Sequence, residues 1–130
     1  MLDTNICIYL IKNRPLEVRE KFNQYEVGEI AISSISVSEL YCGVEKSKHV
    51  EKNRQALALF LAPLNILNYD EKASIAYGNI RSSLEAKGTV IGSLDMLIAA
   101  HAKSMNITLV TNNTKEFIRV DGLKLENWIN

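Results

Sequence analysis

Ile30-Ala31-Ile32-Ser33-Ser34-Ile35-Ser36-Val37-Ser38-Glu39-Leu40-Tyr41-Cys42-Gly43-Val44 is the stretch whose reading decides the fold. Ile30-Ala31-Ile32 is a compact apolar run that reads as a strand. From Ser36 the period changes, and Val37, Leu40, Tyr41 and Val44 fall on one helical stripe that runs to about Ser47. A strand handing over to a helix this abruptly is the building unit of an α/β protein with parallel strands.

The same unit recurs along the chain. Met1-Leu2 is the stub of a strand, followed by a short helix with Ile6, Leu10 and Ile11. A strand usually spans about five residues, so the first one either begins upstream or is unusually short. Pro15 suits the first turn of a second helix carrying Val18, Phe22 and Tyr25. A helix from about Val50 to Ala62 stops at Pro63, and Asn65-Ile66-Leu67 is the next strand. After Asp70 comes a helix with Ala73, Ala76, Tyr77, Ile80 and Leu84 at helical spacing, closed by Gly88. Ser93 is expected to cap a helix to about Met105, Thr108-Leu109-Val110 is a buried strand, and Leu123 to Glu126 a last short one. The fold class is therefore α/β: a mostly parallel central sheet flanked by helices on both faces.

Bulk properties narrow the function classes. The 130 residues carry no linker, repeat or low-complexity stretch, so 1–130 reads as a single domain. A 47 % apolar and 23 % charged composition is ordinary for a globular protein. The longest apolar run, Leu57 to Leu67, is too short for a membrane span and contains Pro63. The start lacks the order of a secretory signal, so a cytoplasmic location is expected. Cys7 and Cys42 lack metal-ligand spacing and read as reduced, partly buried small residues. Net charge is zero, yet Lys46, Lys48, His49, Lys52 and Arg54 cluster; a solvated helix face is the expected reading of that cluster, and a phosphate-contacting patch the alternative.

Polar signatures stand where strands hand over to helices: Asp3-Thr4-Asn5, Ser36-Val37-Ser38-Glu39, Ser93-Leu94-Asp95, and Thr111-Asn112-Asn113 with Glu116-Phe117. Open parallel sheets place their ligands along that edge. Each acid also has a plainer role. Asp3 could cap its helix, as could Thr4 or Asn5. Ser36 and Glu39 match an S-x-x-E capping box, the expected role on this segment alone. Asp95 suits the positive end of a helix, and Glu116 could simply be exposed beside Lys115.

The acids taken together argue for more. Two carboxylates about 4 Å apart repel by roughly 4 kcal/mol at an effective dielectric near 20. Several in one cleft therefore need a proton or a cation, and an all-oxygen donor set suits Mg²⁺ or Mn²⁺. Asp95 shares a face with Ala99 and Ala102, the side that packs on a sheet, where a charge needs a partner. His101 reads as a satisfied core histidine, and Tyr9, Tyr41, Tyr77 and Trp128 as packing residues.

In this order the signatures resemble the PIN-domain nucleases, and more closely the VapC toxins of bacterial VapBC toxin–antitoxin modules. Met1-Leu2-Asp3-Thr4-Asn5, Ile32 to Leu40, Ile91 to Ala99 and Leu109 to Asn113 carry the likeness. The resemblance implies a PIN-like domain with an Mg²⁺-dependent acidic centre, Mn²⁺ being a substitute. It implies Asp3 and Asp95 as metal ligands, with Asp3, Glu39, Asp95 and Glu116 as the catalytic acids. Asn113 stands where many relatives have Asp, so it joins Asn5 and Thr111 as a polar helper. Also implied are endoribonuclease activity on tRNA (in some members at the anticodon loop of initiator tRNA), a cognate VapB-type antitoxin and a toxin homodimer. The rival from another class is a non-catalytic RNA-binding or protein-docking module on the same fold.

Overall fold

Local chemistry places the helices in the computed structural model, which describes residues 1–129. Helix α1 (Thr4–Lys12) starts at Asp3, whose side chain accepts from the Thr4 N–H, and ends on Asn13 in the left-handed region. Helix α2 (Leu16–Phe22) follows Pro15, and strand β1 (Ala31–Ser33) leads directly into α3 (Ser34–Glu45). Then come α4 (Val50–Leu61), β2 (Asn65–Leu67) and α5 (Glu71–Lys87). Asp70 caps α5 by accepting from Ala73 N–H, and Gly88 closes it at φ 70°, where only glycine is unstrained. Helix α6 (Ser93–Ser104), β3 (Leu109–Val110), α7 (Thr114–Phe117) and β4 (Leu125–Glu126) complete the chain.

The sheet is small and parallel. Strand β1 pairs with β2, and β3 with β4, all in parallel register. The Met1–Asp3 segment joins the two pairs. On one side Leu2 N–H donates to Ala31 C=O at 2.9 Å; on the other, Val110 N–H donates to Met1 C=O and Asp3 N–H to Val110 C=O. The spatial order is thus β2–β1–Leu2–β3–β4, which reverses direction between Leu2 and β3. That reversal point is where open parallel sheets form their ligand crevice. The first strand amounts to a single bridge between Leu2 and Val110.

Alternation along the strands divides the core into two layers. Leu2, Ile32 and Val110 face α1–α4, packing with Ile6, Leu10, Leu40 and Leu57. Met1 and Leu109 face the other way, against Ile80, Leu84, Met96, Ile98 and Phe117. Period-two side-chain alternation is what allows a two- or three-residue strand to serve both layers.

Several boundaries differ from the sequence expectation. Helix α3 begins at Ser34 because Ser33, not Ser36, accepts the first-turn N–H of Ile35 at 3.1 Å. Gly92 precedes α6 with no side-chain cap, so Ser93 is the helix's first residue, not its cap. Helix α2 ends before Tyr25, whose ring instead stacks on Trp128 with centroids 5.8 Å apart. Tyr41, Leu94 and Met105 lie on the expected stripes yet are exposed, as is Cys42. The α3 side bearing Glu39, Cys42 and Gly43 opens to solvent; a side chain added at Gly43 would meet nothing within 4 Å. Among the described residues no helix is long and apolar enough to cross a membrane.

Candidate active site

The reversal point between Leu2 and β3 holds the first acid. Asp3 is 5 % exposed. Its Oδ1 accepts from Thr4 N–H and its Oδ2 from the Thr111 hydroxyl, both at 2.8 Å. Thr111, at the end of β3 and fully buried, also accepts the Asn113 N–H at 3.0 Å. Burial raises the Asp3 carboxyl above its ordinary range, and the hydrogen bonds from Thr111 and Thr4 oppose that rise. Asp3 therefore performs the capping role and also stands in the crevice.

Glu39 comes from α3, one helical turn after Ser36. The expected capping box does not form, because Ser36 lies inside the helix and is buried. Instead the Thr4 hydroxyl donates to Glu39 Oε1 at 2.8 Å and lies 3.0 Å from Ser36 Oγ. One hydroxyl has one proton, so Ser36 donates to Thr4 and Thr4 to Glu39. Sequence reasoning saw Thr4 only as an alternative cap. Its place next to Asp3, opposite a helix bearing a second acid, was the available signal.

Asp95 and Glu116 approach from the other layer. Asp95 lies in the first turn of α6, and Ala99 and Ala102 on its face are fully buried. Its carboxyl is pushed up to about 7, first by burial, then by a hydrogen bond with Glu116, and further by the charges of Asp3, Glu116 and Glu39. Glu116 sits on α7, half-buried, and accepts from Asn113 Nδ2 at 2.8 Å. A Cβ added at Gly92 would stand 3.4 Å from Asp95 Oδ2, in van der Waals contact with the carboxylate. Asn5 is exposed and makes no hydrogen bond to the acids among the described residues. Asn112 turns away, donating to the Tyr9 hydroxyl at 3.1 Å.

Three acids from three other segments, Asp3, Glu39 and Glu116, thus influence the single carboxyl of Asp95. None of them forms an ion pair with Lys, Arg or His among the described residues. Nor do any three His, Cys, Asp or Glu side chains there stand close enough to hold a metal ion as they are. The donors converge on one region without closing on a point. An all-carboxylate set with no protein cation, and one carboxyl driven toward its neutral form, fits a hard divalent cation. His101 lies elsewhere, fully buried, with Nδ1 2.8 Å from Ser33 Oγ, as a satisfied core histidine should.

The PIN domain family's sequence profile matches residues 1–123. The chain belongs to the PIN domain family. Within it the likeness is to VapC proteins. The chain is 50 % identical over 129 residues to Ribonuclease VapC2 of Haemophilus influenzae, covering 99 % of this chain and 97 % of that one. It is 46 % identical over 128 residues to the tRNA(fMet)-specific endonuclease VapC of Shigella flexneri, covering 98 % and 96 %. The fold superimposes on DNA-bound VapBC from Salmonella typhimurium with a TM-score of 0.94 and 45 % identity, covering 99 % and 97 %. The sheet of this PIN domain is small, and its strand order reverses between Leu2 and β3, beside Asp3.

Proposed function

We propose that this PIN domain is a divalent-metal-dependent endoribonuclease, the toxin of a type II toxin–antitoxin pair. The observation carrying this is the convergence of Asp3, Glu39 and Glu116 on Asp95 without a protein cation. The names of its relatives support RNA as the substrate class, and tRNA, initiator tRNA included, as the first target to try. Residues 1–130 act as a single domain. A VapB-type antitoxin, cytoplasmic action and a homodimer follow from family likeness.

Asp3 and Asp95 would hold Mg²⁺, with Mn²⁺ as a substitute. When bound, such an ion supplies Lewis-acid polarisation of the phosphate and charge neutralisation among the carboxylates. The chain's own residues supply order. Thr111 and the Thr4 N–H fix both oxygens of Asp3, which orients the carboxylate. Thr4 holds Glu39 by one oxygen and leaves the other to accept from water. Asn113 holds Glu116 by Oε2, beside its hydrogen bond with Asp95. Asp95, raised to about 7 by burial and its acidic neighbours, would be favoured in its ionised, ligating form by a bound cation. Water attack predicts a 5′-phosphate and a 3′-hydroxyl.

Purified, antitoxin-free protein with total tRNA, in Mg²⁺ or EDTA and beside Asp3→Asn, tests this reading. Discrete cuts with those termini, abolished by EDTA and by the substitution, are expected. A 2′,3′-cyclic phosphate overturns the mechanism, since it reports attack by the RNA's own 2′-hydroxyl. Metal-independent RNA binding without turnover establishes the non-catalytic module instead.

A further inference from the structure

A small cavity of about 90 Å³ lies where α5, α6 and the turn after α7 meet. Asn79 and Ser83 line it from α5, Lys103 from α6, and Arg119 and Asp121 from the turn. Main-chain carbonyls fix both cations. Lys103, half-buried, donates from Nζ to Asp121 C=O at 2.6 Å, and Arg119 donates from Nη1 to Val90 C=O at 3.3 Å. Gly122 holds the turn over Lys103 at φ 79°, where glycine is favoured.

The charges of this cavity do not balance. Asp121 supplies a carboxylate to the lining, but its Oδ2 already accepts from Lys87 Nζ at 3.0 Å. Glu85, also on α5, is paired with Arg81. Neither Lys103 nor Arg119 has an ion pair among the described residues. Two positive charges held together by carbonyls, without a carboxylate of their own, are arranged to receive an anion.

Backbone connections tie the cavity to the acidic centre. Arg119 N–H donates to Glu116 C=O at 3.1 Å, which places the arginine one turn beyond that acid. The Val90 carbonyl that it holds belongs to the segment entering α6, just before Asp95. Lys103 stands eight residues after Asp95 on α6, about 12 Å along the axis at 1.5 Å per residue.

We infer that this cavity holds a phosphodiester group of the RNA substrate, away from the bond that is cut. The inference rests on the ribonuclease reading and gives it a substrate anchor. Four carboxylates without a protein cation repel a polyanion, so a strand that reaches Asp95 needs positive charge elsewhere on its path. Lys103 and Arg119 bind the non-bridging oxygens, with Ser83 and Asn79 as neutral donors. The separation of about 12 Å corresponds to about three to four nucleotides at the 3.4 Å rise of a helical strand.

The test measures binding without turnover, in EDTA, with fluorescein-labelled total tRNA at several salt concentrations. Wild type is compared with K103Q/R119Q, with the charge-keeping K103R/R119K, and with K46Q/K52Q, which removes equal charge from exposed lysines in the other layer. K103Q/R119Q is expected to bind about tenfold more weakly at 100 mM salt. Its slope of log K against log salt should shrink by about 1, as one lost phosphate contact requires. In Mg²⁺ the loss should appear in KM with kcat unchanged, because the group lies away from the reacting bond. K103R/R119K should restore most of the affinity, and K46Q/K52Q should behave as wild type. R119Q alone, at an exposed position, carries the test should the double variant fail to fold. A matching loss in K46Q/K52Q overturns the anchor, because net charge alone then sets affinity. Calorimetry with sodium phosphate separates the sources: heat seen with wild type and lost in R119Q, at unchanged tRNA affinity, assigns the cavity to a free anion and overturns it too. A wild type that binds and cuts tRNA no better than K103Q/R119Q overturns the anchor alone. A wild type that neither binds nor cuts RNA removes the ribonuclease reading with it.

Discussion

Substituting Asp95 by Asn should stabilise the metal-free protein while abolishing cleavage. Asp95 is raised from 3.8 to about 7, so the folded state disfavours its ionised form. A carboxyl with a raised folded pKa contributes its stability below the unfolded value and loses it as pH rises through the folded one. The full rise corresponds to about 4 kcal/mol. Asp95 is only half-buried, and solvent screening reduces this to about 2 kcal/mol of destabilisation at pH 8. Asn carries no charge and can donate to Glu116. With an unfolding entropy of about 2.1 cal/mol/K per residue, Tm at pH 8 in EDTA should rise by about 7 °C. At pH 4, where wild-type Asp95 is protonated in the fold, the gain should shrink to a few tenths of a kcal/mol. Thermal unfolding of both proteins in EDTA across pH 4–8 measures this. A D95N protein that melts lower at pH 8, or a gain independent of pH, refutes the reasoning. Such a penalty is the usual stability cost of a site shaped for a ligand.

Other substitutions act on the hydroxyls behind the acids. Thr111→Val leaves Asp3 Oδ2 buried without its donor, so about 2 kcal/mol and about 7 °C of Tm should be lost; an unchanged Tm would show that water replaces the hydroxyl. Thr4→Val frees Glu39 and strands the buried Ser36 hydroxyl, and cleavage should slow about tenfold, with Thr4→Ser restoring most of the rate. Equal rates for T4V and T4S would remove Thr4 from any positioning role. His101 is held below its ordinary pKa by burial, so its contribution is present above pH 6.5 and is lost as pH falls below that value. The stability of wild type relative to His101→Gln should therefore fall from pH 7 to 5, as denaturant titrations of both proteins at the two pH values will show.

The strand-to-helix junctions were legible because they are local events. Change of hydrophobic period marks β1 into α3, and Asp70 and Gly88 mark both ends of α5 with their own side-chain or backbone requirements. Junctions with several equivalent polar residues were misread. Ser33, Ser34 and Ser36 can each cap, and it is Ser33, still in extended backbone at the end of β1, that accepts from Ile35 N–H. The Glu39 error has the same origin: the box motif competes with Thr4, 35 residues away, and a tertiary hydrogen bond took the carboxylate. Tyr25 and Cys42 show the limit of periodicity, which identifies a face but not what covers it.

Sequence alone determined which residues could do the chemistry: acids at strand ends, short apolar strands alternating with helices and so paired in parallel, and the family likeness of their order. These follow from side-chain type and spacing, which short-range physics fixes. Tertiary structure decided how the acids meet. The strand order β2–β1–Leu2–β3–β4 brings Asp3 beside Thr111, which is 108 residues away. The packing of α6 and α7 raises Asp95 against Glu116. Burial and mutual repulsion are properties of distances between elements, and no local pattern encodes those distances.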